Sequence, residues 1–326
     1  MQRRLIPLFL SGAAAMIRFT MPDPALALSE QIRELRGQFD AFLRAPALLE
    51  LFTLLRADRH TLGELYNGRK MADGSIRETQ ELEPAEAVNE KREALYPLLR
   101  ELGFFDINRP LCTEHSHVLV LGGSLEACFE RTRCAKAWLD PSTRFVDGLS
   151  CFRPIHPNER RQSTFPSRAD TEFGTMSDSF TELFQLSPAT GKDDFHGDRN
   201  LNRISCVRII SAEEGAACFR VFAAPSSQPE LRRADTGDTL RFYLRNGLLR
   251  PTDSVLAITN NQYCSRQFVQ LAYQLMKEAC PVRLDVIGCT ADERIVPPER
   301  YDPFQFLQSL IGLLDWIERF ENTFAP

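Results

Sequence analysis

The chain has 326 residues, with 44 acidic against 39 basic side chains and a net charge of −5. That length supports a sizeable core without covalent staples, and the acidic balance excludes a general nucleic-acid binder. Nine cysteines without a CxxC pair, and five histidines without an HExxH pattern, indicate reduced thiols in a cytoplasmic protein with no metal ion expected. His115 and His117 are the one metal pair that spacing offers, and the strand after them carries no further ligand.

Met1-Gln2-Arg3-Arg4 precedes an apolar run over residues 5–16 that resembles a secretory signal. Arg18 closes the run early and Ala25-Leu26-Ala27 lies far downstream for cleavage, so a cytoplasmic location is the expectation. The run is too short to span a membrane and no later segment is apolar for long enough, so no integral membrane segment is expected. Apolar residues at three- and four-residue spacing predict helices over 28–44, 46–56 and 84–102, with a polar loop over 67–83. Gly103 closes the last of these helices and Pro110 marks a boundary. Residues 1–110 therefore read as a helical N-terminal segment that packs on the remainder of the chain.

From residue 111 short apolar strands alternate with helices, the pattern of an α/β domain spanning 111–326 with a Rossmann-like, mostly parallel sheet flanked by helices. Strands are predicted at 118–121, 143–146, 207–210, 219–223, 254–259 and 283–287. Helices are predicted at 125–139, 170–186, 236–246 and 265–278, with a last one over 303–320. Residues 191–202 read as a polar surface loop.

Four strand ends carry residues suited to a ligand edge. Gly122-Gly123-Ser124 follows an apolar strand and opens a helix, bringing bare N–H groups to the carboxyl end of a sheet. The same pair equally suits a tight strand–helix turn. Asp147, some 25 residues on, could accept from a ribose hydroxyl. Beyond it, Arg153, in a loop crowded with Arg160, Arg161 and Arg168, could bind a phosphate or carboxylate. Cys151 and His156 share that loop, where a thiolate nucleophile is the less favoured reading. The third edge carries Arg233, then Thr236 as a helix cap with Asp238 and Thr239 in the first turn. The fourth is Thr259-Asn260-Asn261-Gln262-Tyr263, whose amides and hydroxyls open a helix.

These edges, in this order, resemble the SanA/ElyC/YdcF-like family of bacterial proteins, a domain of unknown function. The resemblance covers roughly residues 112–290. It rests on the strand from Val118 to Gly123, on Arg131 and Ala135 in the next helix, and on the glycine turn at Gly148. Glu172 corresponds to a glutamate that opens a helix in the family, and residues 233–239 to its threonine-rich helix start. Cys264 stands where the family has a histidine and Gln267 where it has an arginine, so any chemistry those residues do in the family is altered or absent here. The resemblance implies a Rossmann-like fold with a polar pocket at the strand ends, and no agreed reaction.

The expected function is an enzyme acting on a small anionic metabolite, phosphate- or adenosine-type, by group transfer or hydrolysis. The sequence assigns no cofactor; S-adenosylmethionine or a nucleotide is compatible with these parts. Gly122, Gly123, Ser124, Asp147, Arg153, Arg233, Thr236, Thr239, Asn260 and Tyr263 would bind the ligand, with Glu172 or Asp238 as general base. The rival expectation is a protein that binds a metabolite, or scaffolds a partner, without catalysis.

Overall fold

In this computed structural model the described residues are 17–68, 85–105, 109–187, 192–197, 200–210, 217–246, 249–289 and 302–325. The signal-like run over 5–16 and most of the predicted loop over 67–83 lie outside them. The elements in chain order are α1 (Leu28–Leu43), α2 (Pro46–Leu55), α3 (Thr61–Tyr66), α4 (Glu86–Asn89), α5 (Arg92–Glu101), β1 (His117–Leu121), α6 (Leu125–Ala137), β2 (Phe145–Ser150), α7 (Pro157–Gln162), α8 (Glu172–Leu183), β3 (Lys192–His196), β4 (Ser205–Ile210), β5 (Cys218–Ala223), α9 (Thr236–Arg245), β6 (Ser254–Asn260), α10 (Cys264–Lys277), β7 (Arg283–Cys289) and α11 (Pro303–Thr323).

The strands form one sheet in the order β3-β4-β5-β2-β1-β6-β7. β5, β2, β1, β6 and β7 run parallel. β3 and β4 pair antiparallel at one edge. The protein is thus α/β, with a mostly parallel Rossmann-like sheet, as its alternating apolar runs predict. Successive strand residues point to opposite faces, and both faces are apolar here. Val118, Val120, Val146, Val221, Leu256 and Ile258 pack with residues of α6 and α8. Leu119, Leu121, Leu149, Phe222, Val255 and Ala257 share the second cluster with α9, α10 and α11.

The N-terminal helices extend that second cluster. α1 buries Leu35, Phe39 and Phe42, and α2 buries Leu48, Leu51 and Leu55. All six join α11 residues such as Leu310, Leu314 and Phe320 in one core. Phe39 meets Phe320 edge to face at 5.1 Å.

Four local expectations change. The second strand is shifted, running Phe145–Ser150, so Asp147 and Gly148 lie inside it and not at its end. The predicted loop over 191–202 contains β3, an exposed and polar edge strand with no apolar alternation to announce it. The predicted helix over 84–102 is two pieces, α4 and α5. The cap of α9 is Asp235, with Thr236 the first helical residue.

Asp147 shows why a charge can stand inside a buried strand. It lies beside Arg220 of β5 in register, and the two form a bidentate pair at 2.6 and 2.8 Å. The Tyr243 hydroxyl of α9 donates to the same carboxylate at 2.7 Å. His117 joins through Nδ1, 2.8 Å from the Tyr243 oxygen, and through Nε2, 3.1 Å from Asp253. Arg144 closes the chain on Asp253. Burial and the neighbouring Asp147 raise the Tyr243 phenol well above its ordinary value, so it remains a donor.

A buried ion pair broken on one side leaves its partner uncompensated. Asp147→Ala is therefore expected to cost about 3–5 kcal/mol of unfolding free energy. Arg144→Ala, at a side chain 45% exposed, is expected to cost under ~1 kcal/mol. Urea denaturation of the two variants measures the contrast.

Candidate functional site

The chain leaves β1 through α6 on one face of the sheet and leaves β6 through α10 on the other. In open α/β sheets the carboxyl ends of two strands at such a switch point are where a ligand crevice is expected. At that edge stand Gly122, Gly123 and Ser124 from β1, and Asn260, Asn261, Gln262 and Tyr263 from β6, all of them half-buried. The Ser124 side chain caps α6 by accepting from the Ala127 N–H at 3.3 Å. Among the described residues no acceptor takes the N–H of Gly123 or that of Ser124.

Arg131 of α6 ties the two strand ends together. It donates to the carbonyls of Leu121 and Gly122 at 2.7 and 2.5 Å and to Asn260 Oδ1 at 2.6 Å. Asn260 also lies close enough to the Glu130 carboxylate to favour its charge. Its amide is thus engaged in joining β1 to β6.

Glu172 arrives from the next unit. Residues 151–155 run past the start of α8, with the Glu172 N–H donating to Arg153 O at 2.8 Å and the Phe173 N–H to Cys151 O at 3.1 Å. The Glu172 carboxylate then lies directly on Gly122. A Cβ at Gly122 would overlap Glu172 Oε1 and stand 2.8 Å from the Leu149 carbonyl. The missing side chain at Gly122 therefore makes room for a carboxylate of this protein itself.

Arg153 holds that carboxylate. Its Nε donates to Glu172 Oε2 at 3.1 Å, Nη1 to Glu159 Oε1 at 2.6 Å, and Nη2 to the Gly123 carbonyl at 2.8 Å. Burial works against the guanidinium charge, but Glu172 and Glu159 outweigh it and raise its pKa. Arg153 is thus engaged within the protein, by two carboxylates and a backbone carbonyl. Glu159 also accepts the Leu125 N–H at the start of α6, at 2.9 Å. It is absent from the residues singled out by sequence, although a His-Pro start followed by glutamate is a helix-capping pattern.

On the α9 side of the crevice stand Arg233, Asp235, Thr236, Tyr263 and Arg266. Arg233 is half-buried and close enough for its charge to act on both Arg153 and Cys151. Arg266 feels burial first, which lowers its pKa, and then the opposing fields of Tyr263, Asp235 and Asp315. Thr236 Oγ1 accepts from Gln267 Nε2 at 3.4 Å. Thr259 Oγ1, Gln267 Oε1 and Arg266 Nε are buried with no hydrogen-bond partner among the described residues.

Several expected site residues do other work. Asp147 sits mid-strand in the ion network, away from the carboxyl edge. Asp238 is no available base, because Oδ2 accepts the Asp235 N–H and Arg232 Nη1, while Oδ1 takes Arg241. Thr239 is turned inward, its hydroxyl on the Thr236 carbonyl at 3.0 Å. His156 caps α7 through Nδ1, and Cys151 is buried, its thiol pushed up to about 12 by burial and by Glu172. His115 and His117 diverge, the one to Asp285 and the other into the Asp147 network.

Comparison with known proteins returns no matching family, no matching curated protein and no matching solved structure.

Gly122→Ala is expected to lose about 1–3 kcal/mol of stability from overpacking. The added Glu172→Ala change is expected to recover only part of this in thermal denaturation, since the Leu149 carbonyl remains in the way. A pKa of about 12 leaves the Cys151 thiol almost wholly protonated at pH 8. Native protein treated with iodoacetamide at that pH, followed by peptide mass spectrometry, is expected to show Cys151 unlabelled until denaturant is added.

Proposed function

We propose that the crevice between β1 and β6 binds a small anionic or nucleotide-like ligand, phosphate- or adenosine-type, and that the protein hydrolyses it or transfers a group from it. Glu172 carries this reading. Its Oε2 is fixed by Arg153, whereas Oε1 lies at Gly122 and no donor among the described residues reaches it. A carboxylate fixed by one oxygen and open at the other is oriented to accept a proton from water or a substrate hydroxyl.

The anion would be held by parts beside that carboxylate. The N–H groups of Gly123 and Ser124 start a 13-residue helix, whose dipole favours negative charge at its N-terminus. Arg233 adds positive potential from the α9 side. Thr236 and Tyr263, both half-buried, supply polar contacts that fix a ligand's orientation.

A thermal-shift screen with inorganic phosphate, ATP, a nucleotide sugar and S-adenosylmethionine tests this. A ligand at 100 times its Kd is expected to add about 2.7 kcal/mol of stability. Arg233→Ala should reduce that shift. Glu172→Gln should keep it while cutting turnover of the same ligand by ~100-fold or more. Binding without turnover in the unaltered protein would make the crevice a non-catalytic metabolite site. No shift with any of the four overturns the proposal.

A further inference from the structure

The opposite end of the sheet carries a second group of reactive side chains, independent of the crevice. Residues 111–115 cross the amino end of β7 just before β1 begins. Asp285, third residue of β7, reaches up to them. Its Oδ2 accepts the N–H groups of Leu111 and Cys112 at 3.0 and 2.9 Å and lies 3.2 Å from His115 Nε2. Its Oδ1 takes Arg18 Nη2 at 3.3 Å. Asp285 and His115 are buried, while Cys112 is half-buried and lines a cleft of about 590 Å³ together with Glu114, Ser116, Arg144 and Arg283. One ligand-type atom from each of Cys112, His115 and Asp285 lies within 4.8 Å of the other two.

The geometry points to a divalent-metal site of the zinc class formed by Cys112, His115 and Asp285, with a fourth coordination position facing the cleft. Bonds of about 2.0–2.1 Å to nitrogen and oxygen and about 2.3 Å to sulfur place tetrahedral N and O ligands roughly 3.3 Å apart, and sulfur about 3.6 Å from either. The His115–Asp285 separation of 3.2 Å already meets the first requirement. Cys112 lies in the loop before β1, so closing its sulfur from within 4.8 Å needs a side-chain rotation and no shift of the sheet.

The donor set selects the ion. One thiolate, one imidazole and one carboxylate suit zinc or cobalt, whereas magnesium and calcium favour oxygen alone. The two backbone N–H groups and Arg18 orient Asp285 before any ion arrives, as outer-shell partners do in metal centres. On binding, Cys112 releases its thiol proton to solvent. His115 ligates through an unprotonated Nε2 with the ring proton on Nδ1, and the ion takes the place of the hydrogen bond to Asp285. Three protein ligands and an open fourth position are the arrangement of sites that bind water or substrate at the metal.

Cobalt titration of the full-length, reduced, metal-free protein tests the site. One equivalent of Co²⁺ is expected to bind, with a thiolate-to-cobalt charge-transfer band in the near ultraviolet, and Zn²⁺ should displace it. Cys112→Ser should abolish that band with the circular dichroism of the fold unchanged. His115→Gln should weaken Co²⁺ binding at least tenfold, and it decides the matter if the Cys112 variant misfolds. Failure of the native protein to bind a stoichiometric ion overturns the proposal. So does a band that survives in Cys112→Ser, or an affinity unchanged by His115→Gln.

Discussion

The ion pair between Arg153 and Glu172 sets the carboxyl edge of this protein. Arg153 touches three separate parts of the chain at once: the start of α8 through Glu172, α7 through Glu159, and the glycine turn after β1 through the Gly123 carbonyl. A guanidinium buried there needs all of these acceptors, since a charge removed from water is costly unless its donors are matched. The turn at Gly122 therefore has to leave space for a carboxylate. The charges of Arg153 and Glu172 at that edge are thereby matched within the protein itself.

The same rule of matched burial operates at the other end of the sheet, with different partners. Asp147, Arg220, Tyr243, His117 and Asp253 form a chain of contacts on the face that carries α9. Asp285 forms a second hub on β7, fastening Arg18 and residues 111–115 to the strand. The N-terminal segment is thereby joined to the sheet by polar contacts as well as by the apolar core that α1 and α2 share with α11.

Local pattern announces the sheet but misplaces some of its contents. The apolar run from Val118 to Leu121 ending in two glycines is legible because both faces of β1 are buried and the turn needs small residues. The position of β2 is not legible in that way. Asp147 and Gly148 break its apolar run, and the arginine that makes Asp147 acceptable in a strand lies 73 residues away. Asp238 reads as a free acid in the sequence because its claimants, Arg232, Arg241 and the Asp235 N–H, converge on it only once α9 is in place. Glu172 stands out through resemblance to a family pattern, whereas its contact with Gly122 depends on two chain segments meeting in space. Spacing pairs His115 with His117, but the fold gives His115 to Cys112 and Asp285, the latter 170 residues on.

The antiparallel edge has a bearing on how this protein behaves in company. β3 is the last strand on its side of the described sheet, so its outer row of backbone groups is the natural template for another chain's strand. It is only five residues long and carries Asp193, Asp194 and His196, with Asp193 bound to Arg208 of β4 at 2.7 Å and Asp194 to His196 at 3.1 Å. A second chain adding here would have to strip water from those charges for a short run of hydrogen bonds. Short, charged edges of this kind resist sheet-to-sheet growth, and β3 presents one on the flank where β4 would otherwise be the outermost strand.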